Sequence, residues 1–151
     1  MSAKSIWRTG ATLEWAHQHA GGTLSEHLGI VMTELGADFL RATMPVDRRH
    51  CQPAGILHGG ASVVLAESVA SLAATLVVDW PRRVCVGQEV NANHLRPVPI
   101  GQSVTGTARP FHLGTRSQVW GIEITDAAAR LACVARITIA VVAGPGAAHG
   151  A

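Results

Sequence analysis

One acidic residue, Glu67, lies within an apolar part of the sequence, and a histidine and two glycines precede it. The stretch from 52 to 68 reads QPAGILHGGASVVLAES. A carboxylate held partly out of water among apolar side chains has the properties of a general base or a nucleophile. Glu67 is therefore the first candidate for a catalytic residue.

The residues around Glu67 predict that its side chain is partly desolvated, not fully exposed, and close to a hydroxyl group. Valine, leucine and alanine flank it on both sides, and glutamates are rarely buried without a partner. Ser71 follows four residues later, which places the two side chains on one face of a helix. The sequence leaves one alternative open, in which Glu67 has a structural role and bonds to a loop or to a facing subunit.

The glycine pair Gly59-Gly60 is expected at the start of the helix that carries Glu67. The first N–H groups of a helix have no intrahelical acceptor, and the helix dipole is positive there. Such an end can bind an oxygen that acquires negative charge, and glycine lets that oxygen come close to the backbone. His58 and Gln52 can bond a substrate carbonyl or brace the loop. A tight turn into the helix explains the glycines equally well.

Glu67 and the start of its helix are not expected to act on one substrate within a single chain. Gly59 lies eight residues before Glu67, about 12 Å along a helix, and the two residues point to different faces. If two copies pack these helices antiparallel, Glu67 of one copy comes level with the helix start of the other. We therefore expect a two-fold dimer with two equivalent sites across its interface.

The composition indicates one soluble domain. The chain has 151 residues, 48% of them hydrophobic, which suits a single packed core. No apolar run reaches 18 residues and the N-terminus lacks the features of a secretory signal, so we expect a cytoplasmic protein that does not enter a membrane. The net charge of +2, with scattered arginines, gives little support for nucleic-acid binding.

Neither the cysteines nor the histidines form a metal-binding pattern. The three cysteines are widely spaced and odd in number, so we expect free thiols, mostly buried, and not a disulfide framework. His17 and His19 would point to different faces of a helix, which makes them poor joint metal ligands. Motifs of serine hydrolases, P-loops, dinucleotide-binding folds and zinc proteases are absent from the sequence. Catalysis by an acidic side chain in a small apolar pocket remains.

The pattern of apolar residues predicts one long helix and a sheet that wraps around it. Residues 59–79 contain no proline and are apolar nearly all round, which is typical of a buried helix. The later segments are β-branched and joined by short turns, which favours an antiparallel meander in an α+β fold. The other predicted elements are a short helix over 11–19, a hairpin over 28–46, and strands over 84–98, 103–113, 117–126 and 130–142.

Three segments, LHGGASVVLAES, VGQEVNANHLRPV and HLGTRSQVW, together resemble the hotdog-fold acyl-CoA thioesterases in order and spacing. The resemblance is to the branch with the dihydroxynaphthoyl-CoA and enterobactin-proofreading thioesterases, next to PaaI-like and Arthrobacter-type 4-hydroxybenzoyl-CoA thioesterases. It covers 25–142, leaving an N-terminal extension over 1–24 and a flexible tail over 143–151. It implies a long helix wrapped by a five- to six-stranded antiparallel sheet, and dimers that pair into tetramers. It also implies hydrolysis of aromatic or related acyl-CoA or acyl-carrier-protein thioesters without a metal or cofactor.

The resemblance also implies a role for each candidate residue. Glu67 corresponds to the catalytic carboxylate, which acts as nucleophile or base on the thioester carbon. Gly59 corresponds to the residue whose N–H polarises the thioester carbonyl. Gln52 and His58 correspond to a polar pair beside that carbonyl or the leaving sulfur, and Ser71 to a hydroxyl that helps to place water.

For the substrate and coenzyme A, the resemblance implies a second set of residues. Arg96, Thr115 and Arg116 are candidates for contacts with the phosphates. The whole predicted binding set is Gly60, Val63, His94, Arg96, Thr115 and Arg116. A hotdog dehydratase acting on acyl thioesters and a non-catalytic acyl-CoA-binding protein are the alternatives.

Overall fold

The structure is a computed structural model in which residues 5–145 are described. Its helices are α1 (Leu13–Ala20), α2 (Leu24–His27) and α3 (Gly59–Val77). Its strands are β1 (Val31–Leu35), β2 (Leu40–Pro45), β3 (Arg83–His94), β4 (Ser103–Leu113), β5 (Ser117–Asp126) and β6 (Leu131–Ala143). One long helix and a six-stranded antiparallel sheet make this an α+β fold, as the sequence predicts.

The sheet wraps around α3, and the apolar core lies between them. The buried residues of α3 are Ser62, Leu65, Ala66, Val69, Ala70, Ala73, Ala74 and Leu76. The sheet contributes fully buried side chains that include Trp120, Ile122, Ile124, Ile137 and Ile139. Each large apolar side chain stabilises the fold by roughly 1.5–3 kcal/mol when it is fully buried. Packing under the sheet therefore explains why α3 is so apolar.

The same apolar composition gives α3 the properties of a membrane-spanning segment. Within residues 5–145 it is the one helix whose length and mean hydropathy of 1.7 would suffice to cross a membrane. In the fold, 44% of that 18-residue window is buried against other parts of the chain. The hydropathy of α3 is that of a core helix.

The strand order is β1-β2-β4-β5-β6-β3, with every neighbouring pair antiparallel. The predicted meander is correct for β4, β5 and β6 but wrong for β3, which pairs with β6 and not with β4. The reason is that α3 crosses the sheet and delivers β3 to its far side, so β4 returns to lie beside β2. β1 and β3 are therefore the two edge strands.

A β-bulge at Gln88 changes which face of the sheet the β3 side chains occupy. The register with β6 shifts between Gly87 and Glu89. Side chains alternate between faces along a strand, so two residues seven apart normally point to opposite faces. One inserted residue reverses that alternation, and it brings Gly87 and His94 onto the inner face, beside α3.

Most of the remaining predicted elements are confirmed. α1 begins after Thr12, whose side chain accepts a hydrogen bond from the Trp15 N–H, and the hairpin of β1 and β2 falls within 28–46. α2 was not predicted. Two predicted ends are wrong: α3 ends at Val77, before 79, and β3 ends at His94, before 98. In the predicted flexible tail, Ala143 belongs to β6, and 146–151 lie outside the described residues.

Candidate active site

The loop between β2 and α3 is held by a buried histidine. His50 is 1% exposed, its Nε2–H donates to the Leu28 carbonyl, and its own carbonyl accepts from the His58 N–H. Asp47 forms an ion pair with Arg49, whose side-chain hydrogen bond holds the pKa of that carboxyl well below its usual value. These contacts fix the backbone that leads into α3.

His58 is the N-cap of α3 and leaves one backbone donor of the helix open. Its Nδ1 accepts a hydrogen bond of 2.8 Å from the Gly60 N–H. A neutral imidazole whose Nδ1 accepts carries its proton on Nε2, so the exposed edge of His58 is a donor. The N–H of Gly59, the first residue of the helix, has no intrahelical acceptor. Two donors therefore lie at the start of α3, the Gly59 N–H and the His58 Nε2–H.

His94 lies directly against Gly59. An ideal Cβ at Gly59 would be 2.7 Å from His94 Nε2 and 3.1 Å from two carbons of the same ring. The His94 ring can therefore pack here only because residue 59 has no side chain. As a result, the end of β3 and the start of α3 meet at one point, as the predicted roles of Gly59 and His94 require.

A cavity of about 320 Å³ opens beside this point. Its lining includes four of the predicted residues, Gln52, Gly59, His94 and Arg96. The Gln52 side-chain oxygen accepts from the Ala54 N–H at 2.8 Å, which leaves the amide NH₂ group as its free donor. Four of the ten residues that line the cavity are thus predicted site residues, and they come from a loop, the start of a helix and the end of a strand.

Glu67 lies outside that cavity and is exposed in the single chain, whereas the sequence predicts a partly desolvated carboxylate. It belongs to the open face of α3, which consists of Gly60, Val63, Glu67 and Ser71, all exposed or half-buried. The Glu67 Oε1 lies next to Gly87 of β3. The carboxylate and the open face of α3 thus border the free edge of the sheet.

The chain was compared with known proteins. The model of the thioesterase superfamily matches residues 54–133. The chain is 48% identical over 136 residues to the 1,4-dihydroxy-2-naphthoyl-CoA hydrolase of Escherichia coli K12, covering 90% of this chain and 98% of that protein. The same identity and coverage relate it to the proofreading thioesterase EntH of Cronobacter sakazakii. A thioesterase structure from Haemophilus influenzae matches with a TM-score of 0.88 at 44% identity, covering 95% of this chain and 99% of that one.

The chain belongs to the thioesterase superfamily. The resemblance seen in the sequence and the hotdog fold that it implied are confirmed. The protein is therefore a thioester hydrolase.

The thioesterase does not bring all of its predicted residues together within one chain. Arg83 Nη2 donates to the Thr115 carbonyl at 2.6 Å, so Thr115 and the adjacent Arg116 lie near the first residue of β3. His94 and Arg96 lie at the other end of that strand, roughly 35 Å away for an extended chain of this length. A single chain therefore holds the predicted phosphate contacts at two separate places.

The cavity of the thioesterase also contains residues that the sequence did not single out. They are Ile56, Leu57, Ser62, Leu95, Pro97 and Ala132. Leu95 and Pro97 could have been predicted from the sequence, since they lie in the HLRPV segment that carries the resemblance. Ser62 is buried on α3 and looked like any other residue of the core helix.

The cysteines and the two N-terminal histidines of the thioesterase have other surroundings. Burial raises the pKa of the Cys133 thiol, and it raises that of Cys85 to about 11. The prediction that the cysteines are mostly buried holds for Cys133, whereas Cys51 and Cys85 are half-buried. The His17 Nε2 contacts the Met32 carbonyl, and the His19 ring stacks on Trp15, so the two histidines face different partners.

Proposed function

We propose that this thioesterase hydrolyses aromatic acyl-CoA thioesters, of the hydroxybenzoyl or dihydroxynaphthoyl type, to the free acid and coenzyme A in the cytoplasm. The observation that carries the proposal is the open N–H of Gly59 at the cavity, where helix dipole and backbone donor act together. An identity of 48% to a dihydroxynaphthoyl-CoA hydrolase supports the aromatic acyl group. The free cysteine thiols agree with a reducing compartment.

In the proposed reaction, the thioester carbonyl oxygen accepts from the Gly59 N–H, with the His58 Nε2–H and the Gln52 NH₂ as neighbouring donors. Glu67 either takes a proton from a water that adds to the carbonyl carbon, or adds to that carbon itself. Negative charge develops on the carbonyl oxygen, and the helix start stabilises it. The C–S bond then breaks and coenzyme A leaves as the thiolate. In the second route, water hydrolyses the acyl–Glu67 anhydride.

The proposal requires a second copy of the chain, because Glu67 lies about 12 Å along α3 from Gly59. Two features favour a dimer through β3. This strand of 12 residues is a free edge of the sheet, and long free edges readily pair with another strand. The open face of α3 runs beside that edge. Antiparallel pairing of two β3 strands would cover both features at once.

The register of that dimer follows from two contacts. Glu67 lies against Gly87, and Gly59 lies against His94. If Glu67 acts at the helix start of the partner, Gly87 must lie about level with the partner's His94. Counted along the ladder without the bulged Gln88, Asn91 lies midway between Gly87 and His94, so the two-fold axis passes at Asn91.

The same register brings the residues predicted to contact the phosphates together at one place in the dimer. It sets Cys85 level with the partner's Arg96. Thr115 and Arg116 lie close to this end of β3, since Arg83 binds the Thr115 carbonyl. The nucleotide part of coenzyme A would then contact Arg96 of one chain and Thr115 and Arg116 of the other. The pairing of such dimers into tetramers stays a prediction from the resemblance.

The test is thiol release from a panel of thioesters. The panel contains benzoyl-CoA, 4-hydroxybenzoyl-CoA and hexanoyl-CoA, together with the same acyl groups on acyl-carrier protein. We expect the aromatic coenzyme A thioesters to have the highest kcat/KM. The Glu67→Gln variant should lose a factor of about 10² to 10⁴ in kcat, the usual contribution of general-base catalysis.

Glu123→Gln is the matched control, because Glu123 is an exposed glutamate on the outer face of the sheet. We expect it to keep the parent's activity. A Glu67→Gln protein as active as the parent would disprove the role of Glu67. Hydration of crotonyl-CoA without thiol release would favour the dehydratase, and binding without turnover would favour the acyl-CoA-binding protein.

A further inference from the structure

The Glu67 carboxylate occupies the space in which a side chain at Gly87 would begin. An ideal Cβ at Gly87 would lie 2.6 Å from Glu67 Oε1, closer than the 3.0 Å below which Cβ contacts are essentially never seen. Apart from atoms of Glu67, the nearest atom would be Ile137 Cδ1, at an ordinary 3.6 Å. Gly87 is not among the glycines with positive φ, so its backbone conformation is open to other residues. An added methyl group would therefore disturb Glu67 and little else.

Gly87 faces α3 only because of the bulge beside it. The register shift between Gly87 and Glu89 sets the phase of β3, and bulges often re-aim side chains next to active sites. With this phase, Gly87 and His94 share the inner face, each in contact with one end of the catalytic stretch of α3. The glycine and the bulge together give Glu67 a defined surface on which to lie.

Glu67 gains from such a surface because it is exposed in the single chain. A free glutamate side chain samples several rotamers, and fixing it costs conformational entropy. A flexible side chain moves away readily when its space is filled. Filling the space at Gly87 should therefore change the position of the carboxylate much more than the stability of the fold.

We propose that Gly87 is a positioning residue for Glu67. Because Gly87 has no side chain, the Glu67 carboxylate can lie against the backbone of β3 at the edge of the sheet. The inference rests on the proposed function, in which Glu67 acts on the thioester. Gly87 itself does not touch the substrate. Its effect is on where the Glu67 oxygens lie, and hence on the rate of the chemical step.

The test is the Gly87→Ala variant of the full chain, assayed on the best thioester of the panel. We expect kcat to fall about 10²-fold, the loss that a misplacement of about 1 Å can cause, with KM within about twofold of the parent. Its melting temperature and oligomeric state should match the parent's. Gly21→Ala is the matched control, since Gly21 is an exposed glycine at the end of α1 whose added Cβ would meet only the Gln18 carbonyl oxygen, at 3.4 Å, and it should keep the parent's kcat.

A double-mutant comparison separates positioning from general damage. In a Glu67→Gln background, Gly87→Ala should reduce the residual rate no further, because the group that it displaces is already inert. A further loss of tenfold or more would overturn the inference, and so would a Gly87→Ala protein with the parent's kcat. If the parent releases no thiol at all, the proposed function fails. Crystal structures of the parent and of Gly87→Ala then decide, and an unmoved Glu67 carboxylate would overturn the inference.

Discussion

The His94 ring occupies the side of Gly59 on which any other residue would carry its Cβ. The N–H that we propose as the oxyanion donor belongs to the same residue. One glycine therefore serves two purposes, since it admits the imidazole and it lets the substrate oxygen reach the backbone.

Gly59→Ala keeps the backbone N–H, but its methyl group should hinder the substrate oxygen from reaching that donor. We therefore expect kcat/KM to fall by a factor of up to about 10² to 10³, the loss that follows when an oxyanion donor no longer acts. The added carbon would lie 2.7 Å from His94 Nε2, so the ring must also move. Steady-state kinetics of Gly59→Ala and of the Gly59→Ala/His94→Ala double variant separate the two effects. We expect the double variant to stay impaired. Full recovery would mean that Gly59 only makes room for His94.

A second residue with distinct chemistry is Cys85. Burial raises the pKa of its thiol to about 11, although a hydrogen bond with Thr75 and the positive charge of Arg83 act in the opposite direction. A raised pKa leaves less thiolate at any pH below it, and the thiolate is the reactive form. At pH 8 we therefore expect Cys85 to resist alkylation by iodoacetamide, as measured by peptide mass spectrometry. The same residue should be labelled rapidly after unfolding in urea. Rapid labelling of the folded protein at pH 8 would contradict this.

Among the elements, the sequence predicted those whose signals are local. The start of α3 follows from the glycine pair and the apolar run after it, and the hairpin follows from alternation around its turn. The strand that pairs with β3 has no local signal in the sequence, because it depends on where the chain emerges after α3 has crossed the sheet. The bulge at Gln88 was not predicted either, although it decides that Gly87 and His94 share a face and a glycine inside a strand often marks a bulge.

The turn between β5 and β6 depends on the carboxylate of Asp126, which is buried. The N–H groups of Ala128 and Arg130 each donate to its Oδ1 at 2.9 Å, and Arg130 Nε donates to Oδ2. The backbone hydrogen bond from Arg130 is the main cause that lowers the pKa of Asp126 below 3.8. The charged carboxylate therefore stabilises the fold at any pH above the pKa that Asp126 has in the unfolded chain. This contribution is lost as the pH falls through the lower pKa that Asp126 has in the folded protein.

Asp126→Asn should accordingly lower the melting temperature at pH 7 and have a smaller effect near pH 3. The measurement is thermal unfolding of both proteins by circular dichroism across this range. Asp38→Asn is the control, since Asp38 forms an exposed ion pair with Arg109, and such pairs contribute little. A deficit for Asp126→Asn that is constant with pH would show that the charge of Asp126 is unimportant.

For the whole molecule, the exposure of Glu67 is the clearest difference between sequence and structure. The apolar neighbours of Glu67 predict a partly desolvated carboxylate, and the other faces of α3 are indeed covered by the sheet. A pattern along one chain cannot distinguish a face that the chain covers itself from a face that a second copy covers. The same limit separates Arg96 from Thr115 and Arg116, which the resemblance groups and a single chain holds apart.

Mixing two inactive variants tests whether each site draws on two chains. Glu67→Ala removes the carboxylate, and His58→Ala removes a donor at the helix start. In a heterodimer, one site carries both defects and the other carries neither, because the intact Glu67 comes from one chain and the intact His58 from the other. Co-refolding equal amounts makes half of the dimers mixed, so about a quarter of the parent's activity should return.

Purified heterodimers, selected with two different affinity tags, should have about half of the parent's activity per dimer, since one of two equivalent sites is intact. Thiol release from the best thioester measures both quantities. Co-refolding either variant with itself is the control and should restore nothing. If Glu67 and His58 acted within one chain, every site in the mixture would carry one defect. No activity would then return, and the β3 dimer would lose its main functional consequence.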